Sequence, residues 1–429
     1  GLDAPEAVVG NSNGDVKAAL AGAARTVSAV YSYPHQNHAT MEVMNATAKW
    51  TDGRCEVWTP TQNGEAALAA TAAAAGLPPA QCEVYKIHLG GGFGRRGAVH
   101  DWVRQAVAIA KEMPGTPVKL IWSREEDMTH GRYHPNTQCK LTAGLDAQGN
   151  LTALHMRISG QSIVAALFPQ NIQNGKDPVV FQGLNPPGPE ASIGYTFPAV
   201  MIDHAMRNPH VPPGFWRGVN LNQNAIYLEC FMDELAHAAG VDPVELRLKH
   251  LGDARAIAVI EAARERSGLA SSSRRDGSRG MGMGFARYSN EAAYAAVVVE
   301  VEVGETIKVV RAVAAIDCGR TINPDGVSNQ VEGGIVQAVS WVLKEQVRFD
   351  RTRITTRTWD DYPILRFSEA PAVEVVLIDR PDEPSLGVGE AVAGPAAAAI
   401  ANAVFDAIGV RVRDLPLTRE RMLAAIADA

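Results

Sequence analysis

The run Leu89-Gly90-Gly91-Gly92-Phe93-Gly94-Arg95-Arg96-Gly97 decides how the rest of the chain is read. Gly90, Gly91, Gly92 and Gly94 surround one aromatic ring and leave the backbone without side chains. Such a backbone takes positive φ easily and can turn its N–H groups toward an anionic or oxo ligand. The preceding segment, Cys82 to His88, alternates like a strand. The following one, Asp101 to Lys111, carries Trp102, Val103, Ala106, Val107 and Ala110 at helical spacing. Strand, glycine loop and helix suit a phosphate or cofactor cradle, and equally a tight turn that packs a helix on a strand. A nucleotide-phosphate loop fits poorly. No Lys-Ser/Thr follows the glycines, and no Gly-x-Gly-x-x-Gly spacing can be laid over them.

Outward from this loop, 429 residues are enough for two or three domains. The composition is that of an ordinary globular protein, 46% hydrophobic and 20% charged. A net charge of −7, with no basic run beyond Arg274-Arg275, gives no footprint for nucleic acid. The five cysteines are scattered and form no Cys-x-x-Cys pair, so they read as small buried hydrophobes rather than a disulfide, zinc or iron–sulfur framework. The start of the chain mixes Asp3, Glu6, Asp15 and Lys17 among apolar residues and does not read as a signal peptide. Ala391 to Val410 is long and nearly uncharged. However, Gly394-Pro395, Asn402 and Asp406 make it a buried helix starting near Pro395 rather than a membrane span.

Periodicity and turn residues predict helices at Asp15–Ala24, Asn63–Ala75, Asn222–Ala239 and Val327–Val342, besides Asp101–Lys111. They predict strands at Thr26–Tyr33, Cys55–Thr59, Val118–Trp122, Gln138–Leu145, Leu151–Ser159, Ala295–Val303, Ile307–Asp317 and Ala372–Ile378. Asn174 to Pro198 reads as a long loop, and Ala270 to Gly280 as a polar linker. No clean βαβ rhythm appears, so the fold class is α+β.

Four short stretches carry chemistry. In Thr59-Pro60-Thr61-Gln62-Asn63, Gln62 is a neutral amide able to donate to an oxo group, while Thr61 or Asn63 could simply cap a helix. In Gly214-Phe215-Trp216-Arg217-Gly218, Arg217 suits an anion or a developing oxyanion, or else stacks on Trp216. Gln330, after Asp317-Cys318-Gly319 and Asn323-Pro324, can hydrogen-bond a heterocycle. In Gly387-Val388-Gly389-Glu390-Ala391, a carboxylate sits among small apolar residues. Burial there would make it a general base, and exposure would leave it complementing a helix dipole.

Taken in order, Thr-Gln-Asn, Gly-Gly-Gly-Phe-Gly, Arg-Gly before a helix and Gly-Val-Gly-Glu resemble the molybdopterin-binding large subunit of the xanthine oxidase family. The likeness is greatest to its isoquinoline 1-oxidoreductase β-subunit type. His38 to Ala48, Gly92 to Arg96, Trp122 to Met128, Asp233 to His237 and Gly333-Gly334-Ile335 share it. The resemblance implies two molybdopterin-binding-type α/β domains. Residues 1–252 would be the first, 253–279 a linker and 280–429 the second.

It also implies residue roles. Gln62 would approach the oxo face of molybdenum, with Gly91, Gly92, Phe93 and Gly94 presenting backbone to metal and cofactor. Arg95 would meet a cofactor phosphate, Arg217 the substrate or its transition state, and Gln330 and Gly389 the pterin. Glu390 would be the general base, and no side chain would ligate the metal directly. Gly97 and Val219 replace the glutamate and phenylalanine of purine-hydroxylating relatives. This favours a less polar N-heterocycle or an aldehyde, with Phe215, Phe285 and Tyr288 as candidate walls.

Subunits of this type carry a Met-Gly-Gln-Gly pterin motif in a longer N-terminal part. The nearest stretch here, Gly280-Met281-Gly282-Met283-Gly284, lacks the glutamine. The resemblance therefore implies a separate chain supplying that part, from a split gene or a cleaved precursor. It further implies a small subunit with two [2Fe–2S] clusters that takes the electrons. The cytosine dinucleotide form of the cofactor, a cytochrome c acceptor, and a periplasmic location through a partner's twin-arginine signal are open within it. Two function classes follow: a catalytic molybdenum hydroxylase subunit, or a non-catalytic half that binds a partner without assembling a metal site.

Overall fold

The computed structural model describes residues 1–186, 193–269, 277–289 and 291–429. The first third holds β1 (Val8–Asn13), α1 (Val16–Ala21), β2 (Arg25–Tyr33), β3 (Asn45–Thr51), β4 (Arg54–Pro60), α2 (Gly64–Ala75), β5 (Cys82–Ile87), α3 (Asp101–Lys111), β6 (Val118–Ile121) and α4 (Arg124–Thr129). The middle holds β7 (Thr137–Leu145), β8 (Leu151–Gly160), α5 (Ile163–Leu167), β9 (Val200–Met206), α6 (Leu221–Ala239), α7 (Pro243–Lys249) and α8 (Ala254–Ser267). The rest comprises β10 (Arg279–Arg287), β11 (Tyr294–Val303), β12 (Ile307–Asp317), α9 (Pro324–Leu343), β13 (Ala372–Leu377), α10 (Ala393–Ile408) and α11 (Arg419–Ala427).

The strands form three sheets, in the orders β1-β9-β8-β7-β2, β5-β4-β3-β6 and β10-β11-β12-β13. Parallel pairs β4–β5, β8–β9 and β12–β13 sit among antiparallel ones. This is the α+β mixture expected. The smaller β5-β4-β3-β6 sheet positions the glycine loop. Its core is built by α3, whose Trp102, Val103, Ala106, Val107 and Ala110 are all fully buried, as the helical spacing predicts. The Trp102 indole N–H donates to Thr59 Oγ1 at 2.9 Å, so burying the ring leaves no polar atom stranded. The loop spans the gap from the end of β5 to the start of α3.

A second, larger core runs through the five-stranded sheet, α6, α10 and the β10-β11-β12-β13 sheet without a break. The strand alanines and valines from Ala295 to Val299 are essentially inaccessible because both faces are covered. On β10, Gly280, Gly282 and Gly284 face α10. A Cβ at these positions would lie 2.2 Å from Ala403 O, 2.2 Å from Ala403 N and 2.3 Å from Pro395 O. The small residues of α10 permit the same close approach from the other side. Thus the alanine-rich segment is a buried helix, and among the described residues no helix is long and apolar enough to cross a membrane. The five cysteines are free, and four of them are buried.

Several expectations are corrected. The segment 253–279 is not a bare linker, since α8 occupies Ala254–Ser267 and buries Val259, Ile260 and Ala263. Gly280 belongs to β10, while 270–276 lie outside the described residues. So do 187–192 of the long loop. Strands β1, β3, β9 and β10 and helices α4, α5, α7, α8 and α11 are additional to those predicted.

Candidate active site at the glycine loop

Gln62 follows β4 and precedes α2, whose N-cap is Asn63, with its Oδ1 accepting from Ala66 N–H at 3.0 Å. Capping therefore falls to Asn63, and Gln62 is free for another task. Its Oε1 accepts from the backbone N–H groups of Gly94 (3.0 Å) and Arg96 (3.3 Å). With the amide oxygen committed to the loop, the amide NH2 is what Gln62 offers to a ligand. A Cβ at Gly92 would lie 2.4 Å from that same oxygen. Only glycine lets the two approach.

The loop is unusual in its backbone. Gly91 and Gly94 have φ of 101° and 107°, and Phe93, between them, has φ 54°. A phenylalanine held in the left-handed region costs on the order of 1–2 kcal/mol, which the surroundings must offset. The offset is visible. Arg217 N–H donates to Phe93 O at 2.9 Å, and a Cβ on Gly94 would collide with Phe215 O at 2.4 Å. Beneath the loop, fully buried Arg96 donates from Nε to Gly91 O (2.8 Å) and from Nη2 to Glu42 O (2.7 Å) and Glu42 Oε2 (3.1 Å). His38 Nε2 lies 2.6 Å from Phe215 O. Burial pushes this imidazole down to about 3, so it is neutral and its Nε2–H is the donor.

Arg217 joins the two halves of the chain. Its Nε donates to Gly389 O at 2.5 Å, Nη2 to Gln330 O (2.9 Å) and Gln330 Oε1 (3.1 Å), and Nη1 to Gln337 Oε1 (3.3 Å). Burial lowers its pKa, while the Glu390 carboxylate favours the charged form. Glu390 Oε1 accepts from Gly218 N–H at 2.9 Å, and the side chain is half-buried. Gly218 (φ 93°) and Val219 (φ 44°) form a second left-handed turn there. Asn222 Nδ2 donates to Arg217 O, and His134 Nε2 lies 2.8 Å from Val219 O. Tyr288, hydrogen-bonded by Gln182 at 3.1 Å, is pushed up to about 12 by burial and by the charge of Glu390, so its phenol keeps its proton.

Beside the loop lies a cleft of about 440 Å³, lined among others by Gly91, Phe93, Arg217, Gly333 and Gln337. Gly333 lies against the Arg217 guanidinium, where a Cβ would sit 3.7 Å from Nη1, an ordinary packing distance. Bare backbone, one guanidinium, primary amides and a flanking carboxylate form a set of donors and acceptors suited to a polar heterocyclic cofactor. No group of three or more His, Cys, Asp or Glu able to hold a metal ion occurs among the described residues.

Gln62, Gly91–Gly94, Arg217, Gln330, Gly389 and Glu390 are therefore joined around one loop by hydrogen bonds and packing. Two expected members are not. The Arg95 guanidinium is turned inward, with Nη2 on Asp101 at 2.9 and 3.0 Å and the charge stacked over Trp102 and Trp122, at 4% exposure. It is therefore not presented to a phosphate. Phe285 is a core residue packed edge-on against Tyr195 rather than a wall of the site. Sequence reasoning missed the roles of His38, Glu42 and Arg96. The first two lie in the shared block His38–Ala48, and Arg96 in the shared Gly92–Arg96, and these blocks were the available signal.

Models of the molybdopterin cofactor-binding domain match residues 2–251 and 217–371. The chain belongs to the molybdopterin-binding large subunits of the xanthine oxidase family. It is 36% identical to a nicotinate dehydrogenase subunit of Pseudomonas putida, over 96% of this chain and 36% of that protein. It is 32% identical to the isoquinoline 1-oxidoreductase β-subunit of Brevundimonas diminuta, over 88% of this chain and 48% of that protein. The chain thus spans between about a third and a half of these relatives. Among solved structures, quinoline 2-oxidoreductase from Pseudomonas putida 86 superposes with a TM-score of 0.80 at 17% identity, covering 98% of this chain and 79% of the other. Aldehyde oxidoreductase from Desulfovibrio gigas also gives 0.80, at 18% identity, covering 98% and 63%. At that identity the likeness concerns the fold.

Proposed function

We propose that this chain is the catalytic face of a molybdenum hydroxylase. Its substrate would be an aromatic N-heterocycle attacked at an electron-poor carbon, or an aldehyde, with water as the oxygen source. The observation that carries the reading is Arg217. Its backbone N–H holds the glycine loop at Phe93 O, its guanidinium holds Gln330 and Gly389, and the neighbouring Gly218 N–H orients Glu390. Support for the substrate class comes from relatives named for nicotinate, isoquinoline and aldehydes. The first domain, residues 1–252, supplies Gln62, the loop and Arg217. The second, residues 280–429, supplies Gln330 and Glu390.

When bound, a molybdopterin cofactor supplies the oxygen transfer and accepts the electron pair. Gly91 to Gly94 and Gln330 would hold it, with Gln62 directing its amide NH2 to the same face. Glu390 takes the proton. With Oε1 fixed by Gly218 N–H, Oε2 is the oxygen assigned to receive it. Arg217 serves less as a substrate clamp than as the strut that sets Gln330 and the Gly389–Glu390 turn. A partner chain carrying [2Fe–2S] clusters would take the electrons, and a further chain would supply the remaining pterin cradle.

The test is to purify the protein with its co-purifying chains, measure molybdenum, and compare Glu390→Gln. We expect metal content to be retained and turnover to fall by about 10²–10⁴-fold. Undiminished turnover with metal retained would refute the assigned base. A colourless complex without molybdenum or iron–sulfur absorption would favour a non-catalytic, partner-binding half.

A further inference from the structure

Glu345 is a carboxyl with no role in the chemistry above, yet it lines the same cleft as Gly91, Phe93 and Arg217. It is 5% exposed and stands 2.7 Å from the Tyr362 hydroxyl. That hydroxyl is also the acceptor for Asn37 N–H at 2.8 Å and lies 3.1 Å from Asn37 O. A phenol has one proton, and here two acceptors compete for it. If Glu345 is ionised, either its buried oxygen or the Asn37 carbonyl loses this donor. If Glu345 carries a proton, both contacts of the phenol oxygen are satisfied. The carboxyl donates to the Tyr362 oxygen, and Tyr362 donates to Asn37 O.

Asn37 leads directly into the site. Its carbonyl also accepts from Trp216 Nε1 at 3.2 Å, its Oδ1 accepts from Ala39 N–H, and His38 follows with its bond to Phe215 O. We infer that Glu345 is a positioning residue that works in its protonated form, locking the Asn37–His38 turn beneath Phe215 and the glycine loop so that the cleft keeps its shape. That this shape serves a cofactor rests on the function proposed above, whereas the protonation does not.

The surroundings agree. Burial pushes Glu345 up to about 7, against the lowering effect of the Ser340 and Tyr362 hydrogen bonds. Tyr33 and Tyr362, the titratable groups packed on it, are driven well above their ordinary range and stay neutral. His38 in the cleft wall is neutral as well, and Arg217 is the cation of that wall. Neighbouring Lys344 is engaged by Glu369 at 2.6 Å.

The sign follows from linkage. A carboxyl whose folded pKa is raised stabilises the fold fully below its unfolded value, and that stabilisation is lost as pH rises through the folded one. For a midpoint of about 7, roughly nine-tenths of the molecules carry the proton at pH 6 and roughly one-tenth at pH 8. The experiment uses the full protein with its co-purifying chains. Infrared difference spectra between pH 6 and 8 should show loss of a protonated-carboxyl band, absent in Glu345→Gln. The thermal midpoint of the wild type should fall over the same interval, and Glu345→Gln, which keeps a neutral donor, should hold the low-pH value throughout.

If Glu345→Gln does not fold, Tyr362→Phe provides the second arm. Removing the oxygen that receives the proton should shift the midpoint of the band. A wild type without such a band, a band unchanged in Glu345→Gln, or in the second arm a band unmoved by Tyr362→Phe, overturns the inference. If the band is present in protein that never holds molybdenum, the proposed function falls and the inference about Glu345 stands.

Discussion

Two glycine-rich stretches of this chain look alike and do opposite work. In Gly280-Met281-Gly282-Met283-Gly284 the glycines alternate along β10, so all three lie on one face. The space their side chains would take is filled by the backbone of α10. In Gly90-Gly91-Gly92-Phe93-Gly94 the glycines are nearly contiguous, φ turns positive at Gly91, Phe93 and Gly94, and no strand forms. The cleared space there meets the Gln62 side-chain amide and the Phe215 carbonyl. Spacing of two marks a packing face, whereas contiguity marks displayed backbone. The first stretch is also the one nearest in sequence to a pterin-binding motif, and the structure gives it a packing role instead.

The comparison breaks most sharply at Gly282. Gly282→Val puts a branched side chain where even a Cβ lies 2.2 Å from the backbone of α10. We expect a loss of about 4 kcal/mol or more, or no soluble protein, in urea unfolding. A loss under 1 kcal/mol would mean that the helix does not pack there. Gly94→Ala comes next, with an unfavourable φ and a contact to Phe215 O. About 2 kcal/mol of stability should be lost, together with bound molybdenum, since the displaced backbone is that of the site. Fold loss without metal loss would make the loop another packing turn.

The smallest effect expected is from Arg95→Gln, which removes a stacked guanidinium and its pair with the one-third-exposed Asp101. Stability should fall by about 1 kcal/mol with molybdenum content unchanged. Loss of metal at unchanged stability would restore Arg95 to phosphate binding.

How much was legible depends on where each signal resides. The ends of α3 and β12 agree with the predicted Asp101–Lys111 and Ile307–Asp317, because amphipathic spacing and a β-branched, alanine-rich run are local properties. Helix α8 was hidden because Arg255, Glu261, Arg264, Glu265 and Arg266 blend its sequence into the polar stretch that follows. Strand β9 draws its order from β8 and β1, partners separated from it by dozens of residues, which no local pattern reveals. Within the site, residue types and their order named Gln62, Arg217, Gln330 and Glu390. The direction of each side chain was another matter, and Arg95 shows it. In sequence its charge sits in the ligand loop, but in the fold Trp102, Trp122 and Asp101 draw it inward.

By itself, then, the sequence determined the class of elements, the family, and the residues that meet at the glycine loop, since propensity, periodicity and motif order are all written along the chain. Tertiary structure alone decided what each of those residues faces. It made Arg217 a strut between the two halves, Arg96 and His38 supports beneath the loop, and Glu345 a proton holder in the cleft. Those roles come from hydrogen bonds and desolvation between segments far apart in sequence, such as Asn37 and Tyr362, 325 residues apart, and such contacts exist only once the chain has closed on itself.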